Sequence, residues 1–401
     1  MPAISVVIPV YNVAPFLREA LDSLLAQTCG DFEAIAVNDG STDNSLEILQ
    51  DYAARDSRIR ILDGPNGGYG KAMNRGMDAA TGKYMAILEP DDYLPREAYA
   101  VLLPLAEQHR LDVVRGTYCT FYEEKGKRII EYYRPTIEAG RIFTPSREGN
   151  ALETAAVTWT SLYRLDFLRK NRVRYNESPG ASYQDNGLYF FSMAFAYRFM
   201  QIEDPVYAYR VDNATSSINS MGRKRYSMMD EYDYIMRRLE QTSVWHDVKM
   251  RIAECAMKSQ EWICCGLSAN EQEEWFVRLM QWADILQQRG LLSASREEQL
   301  RRMREARSLK EKISLFIPFK LQEGETRFAK VVRQYRFWGI SVCKKEMSAD
   351  NTTIFLFGIP VLRRIRMGRL RCFNTGIRAL DGIKNVYYVL GIPIAARISA
   401  N

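Results

Sequence analysis

The sequence predicts an α/β protein built on a mostly parallel central sheet, followed by a helical region and a small β-rich basic region. Three observations point there. Short β-branched runs alternate with helical stretches over residues 3–120, and polar motifs follow the carboxyl ends of those runs. Near the C-terminus, an aromatic-apolar pair followed by Gly-Ile and then Pro or Ser recurs three times.

Taken in order, the run Ile4 to Val10 is followed by a helix to Gln27, the run Phe32 to Asn38 and a helix from Asp43. Ile59 to Leu62, a helix over Gly70 to Ala80, the strand Tyr84 to Leu88 and a helix over Arg96 to His109 complete the alternation. Such a pattern reads as a parallel sheet flanked by helices, with the ligand crevice beyond the carboxyl ends of the strands. Residues 121–215 are mixed and rich in aromatics and turns, with an isolated polar segment over 178–186. Residues 222–315 are largely helical by length, by Glu, Arg and Gln content and by scarcity of Pro and Gly. The expected division is 1–218, 219–320 and 321–401. The last part holds the repeats around Gly339-Ile340-Ser341, Gly358-Ile359-Pro360 and Gly391-Ile392-Pro393, read as short strands interrupted by turns.

With 47% hydrophobic and 26% charged residues, the chain is ordinary globular material with enough apolar content for a sizeable core. Its net charge of +6 is divided unevenly: residues 301–401 carry +14 and the remainder −8. The basic tail is either a surface for an anionic partner, such as phospholipid or a lipid-linked phosphate, or a solvated face. Nucleic acid is not expected, because the tail's aromatics belong to the repeats and read as core. Seven cysteines without CxxC spacing imply neither a disulfide framework nor a zinc knuckle. The two histidines, His109 and His246, lie far apart and argue against a His-rich zinc site or a Ser-His-Asp triad. Carboxylates are therefore expected to carry the chemistry. No signal peptide is expected, since the sequence opens directly into Ile4 to Val10, and no run approaches the ~18 apolar residues of a membrane span. A cytoplasmic location, peripheral to a membrane at most, follows as the expectation.

Several polar groups fall at the predicted strand ends. Asp91-Asp92 offers hard oxygen ligands suited to Mg²⁺ or Mn²⁺; the alternative is a cap on the following helix. Asp39, locked into a turn by Gly40, either accepts hydrogen bonds from a base or ribose or belongs to a plain capping turn. Tyr11, beside Asn12, offers a ring for stacking on a base, or simply packs at the sheet edge. The Gly-rich stretch 64–71 is no Walker A loop, because Pro65 stands at its first Gly position and Ala72 follows Lys71; Met73 likewise breaks GxGxxG. Lys71, at a helix start, remains a candidate for a phosphate or a base carbonyl. Asp185 lies in a polar turn before an apolar run and, on its own, reads as a helix cap.

The ordered series Val6-Val7-Ile8-Pro9-Val10-Tyr11-Asn12, Val37-Asn38-Asp39-Gly40-Ser41-Thr42-Asp43, Asn66-Gly67-Gly68, Asn74-Arg75-Gly76, Gly82-Lys83-Tyr84 and Glu89-Pro90-Asp91-Asp92 resembles glycosyltransferase family 2 with the GT-A fold. The resemblance covers about residues 3–215. It implies that Pro9, Tyr11, Asp39, Asn66, Lys71 and Glu89 line the donor site. Tyr11 would stack near the nucleobase, Asp39 bind the base and Glu89 the ribose. It further implies that Asp91 and Asp92 hold a divalent metal, Mn²⁺ or Mg²⁺, and that Asp185, after Gln184, is the catalytic base. Tyr209-Arg210 and Ser216-Ser217 resemble the segment that closes over the donor phosphates, with Arg210 at the departing diphosphate. Three positions depart from the family pattern: Glu89 stands for the commoner Asp, Met73 for an Arg, and Gln184 for a Glu. The activity implied is inverting transfer from a nucleotide-sugar, UDP-linked in most of the family, to a hydroxyl of a glycan or lipid-linked acceptor in cell-surface polysaccharide synthesis. The alternative is a catalytically silent module that acts as a binding or scaffold protein through its basic tail.

Overall fold

A computed structural model describes residues 1–124, 126–135, 137–148, 151–154, 156–214, 216, 224 and 226–316, together with the backbone of six C-terminal strands. Strands β1 (Ile4–Val10), β2 (Phe32–Asp39), β3 (Ile59–Gly64) and β4 (Tyr84–Ile87) alternate with helices α1 (Ala14–Leu25), α2 (Ser45–Arg55) and α3 (Tyr69–Ala79). After α4 (Ala98–Gln108) come β5 (Val113–Glu124), β6 (Lys127–Tyr132), β7 (Ile142–Phe143), β8 (Ser161–Arg164), α5 (Leu165–Lys170), α6 (Asp185–Phe195) and β9 (Phe199–Arg210). Five helices follow: α7 (Ser227–Glu240), α8 (Trp245–Cys265), α9 (Ala269–Gln288), α10 (Ala294–Glu305) and α11 (Leu309–Phe316).

The sheet runs β3-β2-β1-β4-β8-β5-β6. β1 pairs in parallel with β2 and β4, β2 with β3, and β5 with β9, while β8 and β6 run antiparallel to their neighbours. All of β1 is buried, as a strand covered by helices on both faces requires. Its side chains alternate between two cores. Ile4, Val6, Ile8 and Val10 face α1, α2 and α4, whereas Val7 joins Ile35 and Val37 against α3. Helix α1 presents Leu17, Ala20, Leu21 and Leu24 to the first core at helical spacing. The second core continues without a break through α5 and α6 into α7, α8, α9 and α10, so the helical stretch packs on the same apolar mass as the sheet.

Strands β10 (Val331–Phe337), β11 (Ile340–Met347), β12 (Asn351–Leu356), β13 (Ile359–Arg366), β14 (Ile383–Val389) and β15 (Ile392–Ile398) extend the sheet beyond β6 as an antiparallel meander. Each repeat falls where two of these strands meet: Ile340, Ile359 and Ile392 each open the second strand of an antiparallel pair. The repeat glycines Gly339, Gly358 and Gly391, together with Ser217 and the boundary at 218, lie outside the described residues. Among the described residues, no helix is long and apolar enough to cross a membrane.

Candidate active site

Five loops meet beyond the carboxyl ends of β1, β2, β3 and β4, where β1 lies between β2 and β4. Pro9 is buried within β1, paired in register with Val37. Tyr11, just past the strand, keeps 48% of its surface exposed. Asn12 takes a positive φ of 52°, and its Oδ1 accepts from the backbone N–H of Thr42 at 2.7 Å. Its own N–H donates to Ser41 Oγ at 3.1 Å, which knits the first loop to the second. Burial would raise the Asp43 carboxyl, yet hydrogen bonds from Ser45 and from the Ala14 N–H at the start of α1 hold it below its ordinary value.

Asp39 is 4% exposed, and both of its oxygens are occupied from within the fold. Oδ1 accepts from Gly67 N–H and Oδ2 from Gly68 N–H, each at 2.9 Å. Asp39 is not the cap of α2, whose N-cap is Asn44; it ties the end of β2 to the glycine-rich loop, and a carboxylate's about four acceptor positions are not exhausted by these two bonds. The turn depends on Gly40 at φ +72°, where an added Cβ would lie 2.6 Å from Asn66 N. Asn66 and Lys71 are exposed at this mouth, and the Lys71 stem lies over Gly67.

The acidic segment does not cap α4. That helix begins at Ala98, with Glu97 at its N-cap, several residues beyond the pair. The two aspartates differ in setting. Asp92 is buried and accepts from Tyr207 Oη at 2.9 Å and from Arg210 N–H at 2.7 Å, so it ties the segment to β9. Asp91 is only partly buried; its Oδ2 accepts from Asn213 Nδ2 at 2.8 Å. Arg210 is also turned inward. Its guanidinium pairs with Glu19, reaches Asp212 at 3.4 Å and lies over the rings of Phe16 and Phe121.

Glu89 accepts from Tyr69 Oη at 2.7 Å. Burial, reinforced by the charges of Asp91 and Asp185 and opposed by the Tyr69 bond, pushes its carboxyl up to about 8. Asp185 opens α6 as its first residue. Burial pushes its carboxyl up to about 6, against the helix-start N–H groups of Asn186 and Asp185 itself. Such a value suits a proton acceptor working near neutrality.

Gln184, the residue beside Asp185, is 1% exposed and organises the loop before α6. Its Nε2 donates toward Ser178 O, Ser178 Oγ and Gly180 O at 3.2, 3.0 and 3.1 Å, and its Oε1 accepts from Ser182 N–H at 2.5 Å. An ionised glutamate could not donate to those carbonyls, which gives a physical reason for glutamine here. The same loop touches the glycine-rich one: Tyr69 N–H donates to Gly180 O at 3.0 Å, and a Cβ on Gly70 would lie 1.8 Å from Asn176 O. Below it, Glu231 of α7 is 1% exposed and accepts from Asn176 Nδ2 at 2.9 Å; burial pushes its carboxyl to about 7.

The structure thus links Asp39, Glu89, Asp91 and Asp185 through the glycine-rich loop and Tyr69: Asp39 holds Gly67 and Gly68, Tyr69 binds both Gly180 and Glu89, and the charges of Asp91 and Asp185 act on Glu89, while Tyr11, Asn66 and Lys71 are exposed. Asp92 and Arg210 face into the protein. Tyr69, Tyr207 and Glu231 escaped the sequence reading because their roles rest on contacts between segments far apart in the chain. Only the Gly-rich setting of Tyr69 marked it.

The family described as glycosyl transferase family 2 matches residues 5–172. The chain is 36% identical over 216 residues to EpsJ of Bacillus subtilis, an uncharacterized glycosyltransferase, which covers 52% of this chain and 61% of EpsJ. It therefore spans less than two thirds of EpsJ's length. Over 242 residues it is 32% identical to YibD of Escherichia coli, an uncharacterized glycosyltransferase, covering 59% of this chain and 70% of YibD. Among solved structures, Staphylococcus aureus TarS residues 1–349 in complex with UDP-GlcNAc aligns with a TM-score of 0.61 at 19% identity, covering 84% of this chain and 98% of that one. At that identity the likeness is one of fold, and the fold is GT-A. The family match runs from β1 through α5 and takes in the loops that carry Asp39 and the acidic segment. With 32% identity sustained over 70% of YibD, the chain belongs to glycosyltransferase family 2.

Proposed function

We propose that this chain is an inverting glycosyltransferase that moves a sugar from a nucleotide-sugar, most simply a UDP-sugar, to a hydroxyl of a glycan or lipid-linked acceptor in cell-surface polysaccharide synthesis. The observation that carries the reading is Asp185. It is a desolvated carboxylate raised to about 6, close enough to Glu89 for its charge to raise that group, at the rim of the crevice that also holds Asp39. In this reading Asp185 takes the proton of the acceptor hydroxyl as the oxygen attacks the anomeric carbon. The bond from that carbon to the diphosphate breaks on the opposite side, and the nucleoside diphosphate leaves. Asp39 offers its remaining acceptor positions to the base, Tyr11 offers its exposed ring, and Glu89 lies on the ribose side. Asp92 and Arg210 frame the segment from within. The TarS structures with UDP and with UDP-GlcNAc support a uridine nucleotide by analogy of fold alone.

The residues fit a divalent cation. Asp91 supplies a hard oxygen, and Glu89 beside it is raised by burial first and further by the charges of Asp91 and Asp185, negative charge that a cation would offset. Among the described residues, no group of three or more His, Cys, Asp or Glu closes around a metal by itself, so substrate phosphates and water would complete the shell. When bound, Mn²⁺ or Mg²⁺ would neutralise the departing diphosphate. Contact of residues 321–401 with an anionic membrane surface belongs to the same proposal and rests on their charge.

A thermal-shift panel of nucleotide-sugars with and without Mn²⁺ tests the donor assignment. Asp91→Asn should abolish the metal-dependent part of the shift. Asp185→Asn should keep the donor-induced shift and lose transfer; full turnover by that variant would show that the base is another residue.

A further inference from the structure

Beside the acidic segment lies a second group of aromatic rings, of which only Tyr209 enters the donor-site reading. Trp159 sits on a single 3₁₀ turn, Thr158–Thr160, just before β8. Its indole lies 4.3 Å from the Tyr207 ring and runs parallel to the Tyr209 ring, 6° between planes and 5.6 Å between centroids. Tyr118 meets it edge-on at 5.1 Å, and Tyr133 stacks on Tyr118 at 4.6 Å. The packing follows from register: Tyr207 and Tyr209 stand two apart on one face of β9, and Tyr118 is the β5 partner of Tyr207.

Tyr207 is fully buried beneath this group, whereas Trp159, Tyr118, Tyr133 and Tyr209 all keep part of their surface exposed. The group adjoins the reacting centre on two sides. On one side, Tyr207 Oη donates to Asp92 and accepts from Glu89 N–H. The charges of Asp92, Asp91 and Glu89 act on the Tyr209 hydroxyl as well. On the other side, Tyr163, within electrostatic reach of Asp185, donates its hydroxyl to Thr158 O at 2.8 Å and so fixes the turn that carries Trp159.

From this arrangement we infer that the rings around Trp159 form a platform for a pyranose ring of the acceptor saccharide. The inference rests on the glycosyltransferase reading above and names a subsite within it. A pyranose presents a flat face of C–H bonds, and a partly exposed indole backed by phenol rings presents the matching electron-rich surface. A saccharide stacked there would hold a hydroxyl toward the rim bounded by Glu89 and Asp185, where a proton acceptor waits.

The test uses the full chain labelled with 5-fluorotryptophan, the Trp159 resonance being assigned by difference with Trp159→Phe or Trp159→Tyr. Methyl β-glucoside, methyl β-N-acetylglucosaminide, cellotriose and chitotriose are titrated in the presence of UDP and Mn²⁺. The Trp159 resonance should move with at least one saccharide and stay in place with UDP alone. In transfer assays with any saccharide that moves it, Trp159→Phe should raise the acceptor KM about three- to ten-fold while kcat and the UDP-induced thermal shift stay within two-fold. A resonance that responds to none of the saccharides, or that UDP alone shifts fully, overturns the platform. Loss of the UDP-induced thermal shift in the wild type would instead strike at the donor reading. The fluorine titration is read on wild-type side chains, and either of the two substitutions suffices for the assignment, so the test survives the misfolding of one of them.

Discussion

Gln184→Glu isolates the reason this chain departs from the family pattern beside its base. In the wild type, two N–H bonds of the buried amide serve three acceptors, two of them backbone carbonyls. A carboxylate there loses about two hydrogen bonds of ~1 kcal/mol each and faces those carbonyls with like charge, for a total near 2–4 kcal/mol. The sign of the pH dependence follows. Burial and facing carbonyls raise the new glutamate's folded pKa above its unfolded value of about 4.3, so the loss is smallest below that pH and grows as pH rises to the folded pKa. In the neutral form a single O–H can still donate, recovering roughly half of the loss. Urea unfolding followed by tryptophan fluorescence at pH 5 and pH 8 reads this directly. The variant's midpoint should lie well below wild type at pH 8 and roughly half as far below it at pH 5. Equal midpoints for the two proteins at both values would mean that the Gln184 amide does not hold the loop.

Other expectations follow from the same geometry. Transfer should rise with pH through about 6 as Asp185 loses its proton, measured as initial rates at fixed donor. Because that carboxyl is raised in the folded state, its ionisation disfavours the fold above pH 6 and has no effect below its ordinary 3.8; Asp185→Asn should therefore be the more stable protein at pH 8 but not at pH 3. Gly70→Ala would drive a Cβ to 1.8 Å from Asn176 O and should cost more than Gly180→Ala, which meets open space at φ +76° and should lose about 1 kcal/mol in denaturant titrations. Tyr207→Phe removes the hydroxyl that joins Asp92 to the Glu89 N–H and should cost ~2–3 kcal/mol without a change in core packing, read as a lowered Tm.

Much of this fold is legible in the chain because its inner strands are short apolar runs closed by polar motifs, and a parallel sheet places those motifs together. Ile4–Val10 and Asp39 are examples: the first is buried throughout, and the second leaves the sheet where the crevice must lie. Partner choice is not legible in the same way. Nothing near Asp39 in sequence announces that Gly67 and Gly68 will hold both of its oxygens, nor does the neighbourhood of Arg210 announce Glu19. The sequence puts the start of α4 at Arg96, whereas the helix begins at Ala98 with Glu97 at its N-cap, a position that lacks a Ser, Thr, Asp or Asn signal. Most difficult was Gln184, whose value lies in two amide protons directed at carbonyls that only the closed loop brings near.

The seam between Asn176, Glu231 and Gly187 bears on how this chain can be cut and rearranged. Asn176 leads into the loop before Asp185, Gly187 belongs to the first turn of the helix that Asp185 opens, and Glu231 comes from the helical stretch beyond the family match. A fragment ending near residue 218 would keep every donor-site motif and still lose Glu231 beneath its proposed base. Transplanting the motif-bearing half onto a different C-terminal partner should therefore carry α7 along, so that the crevice keeps its lower wall.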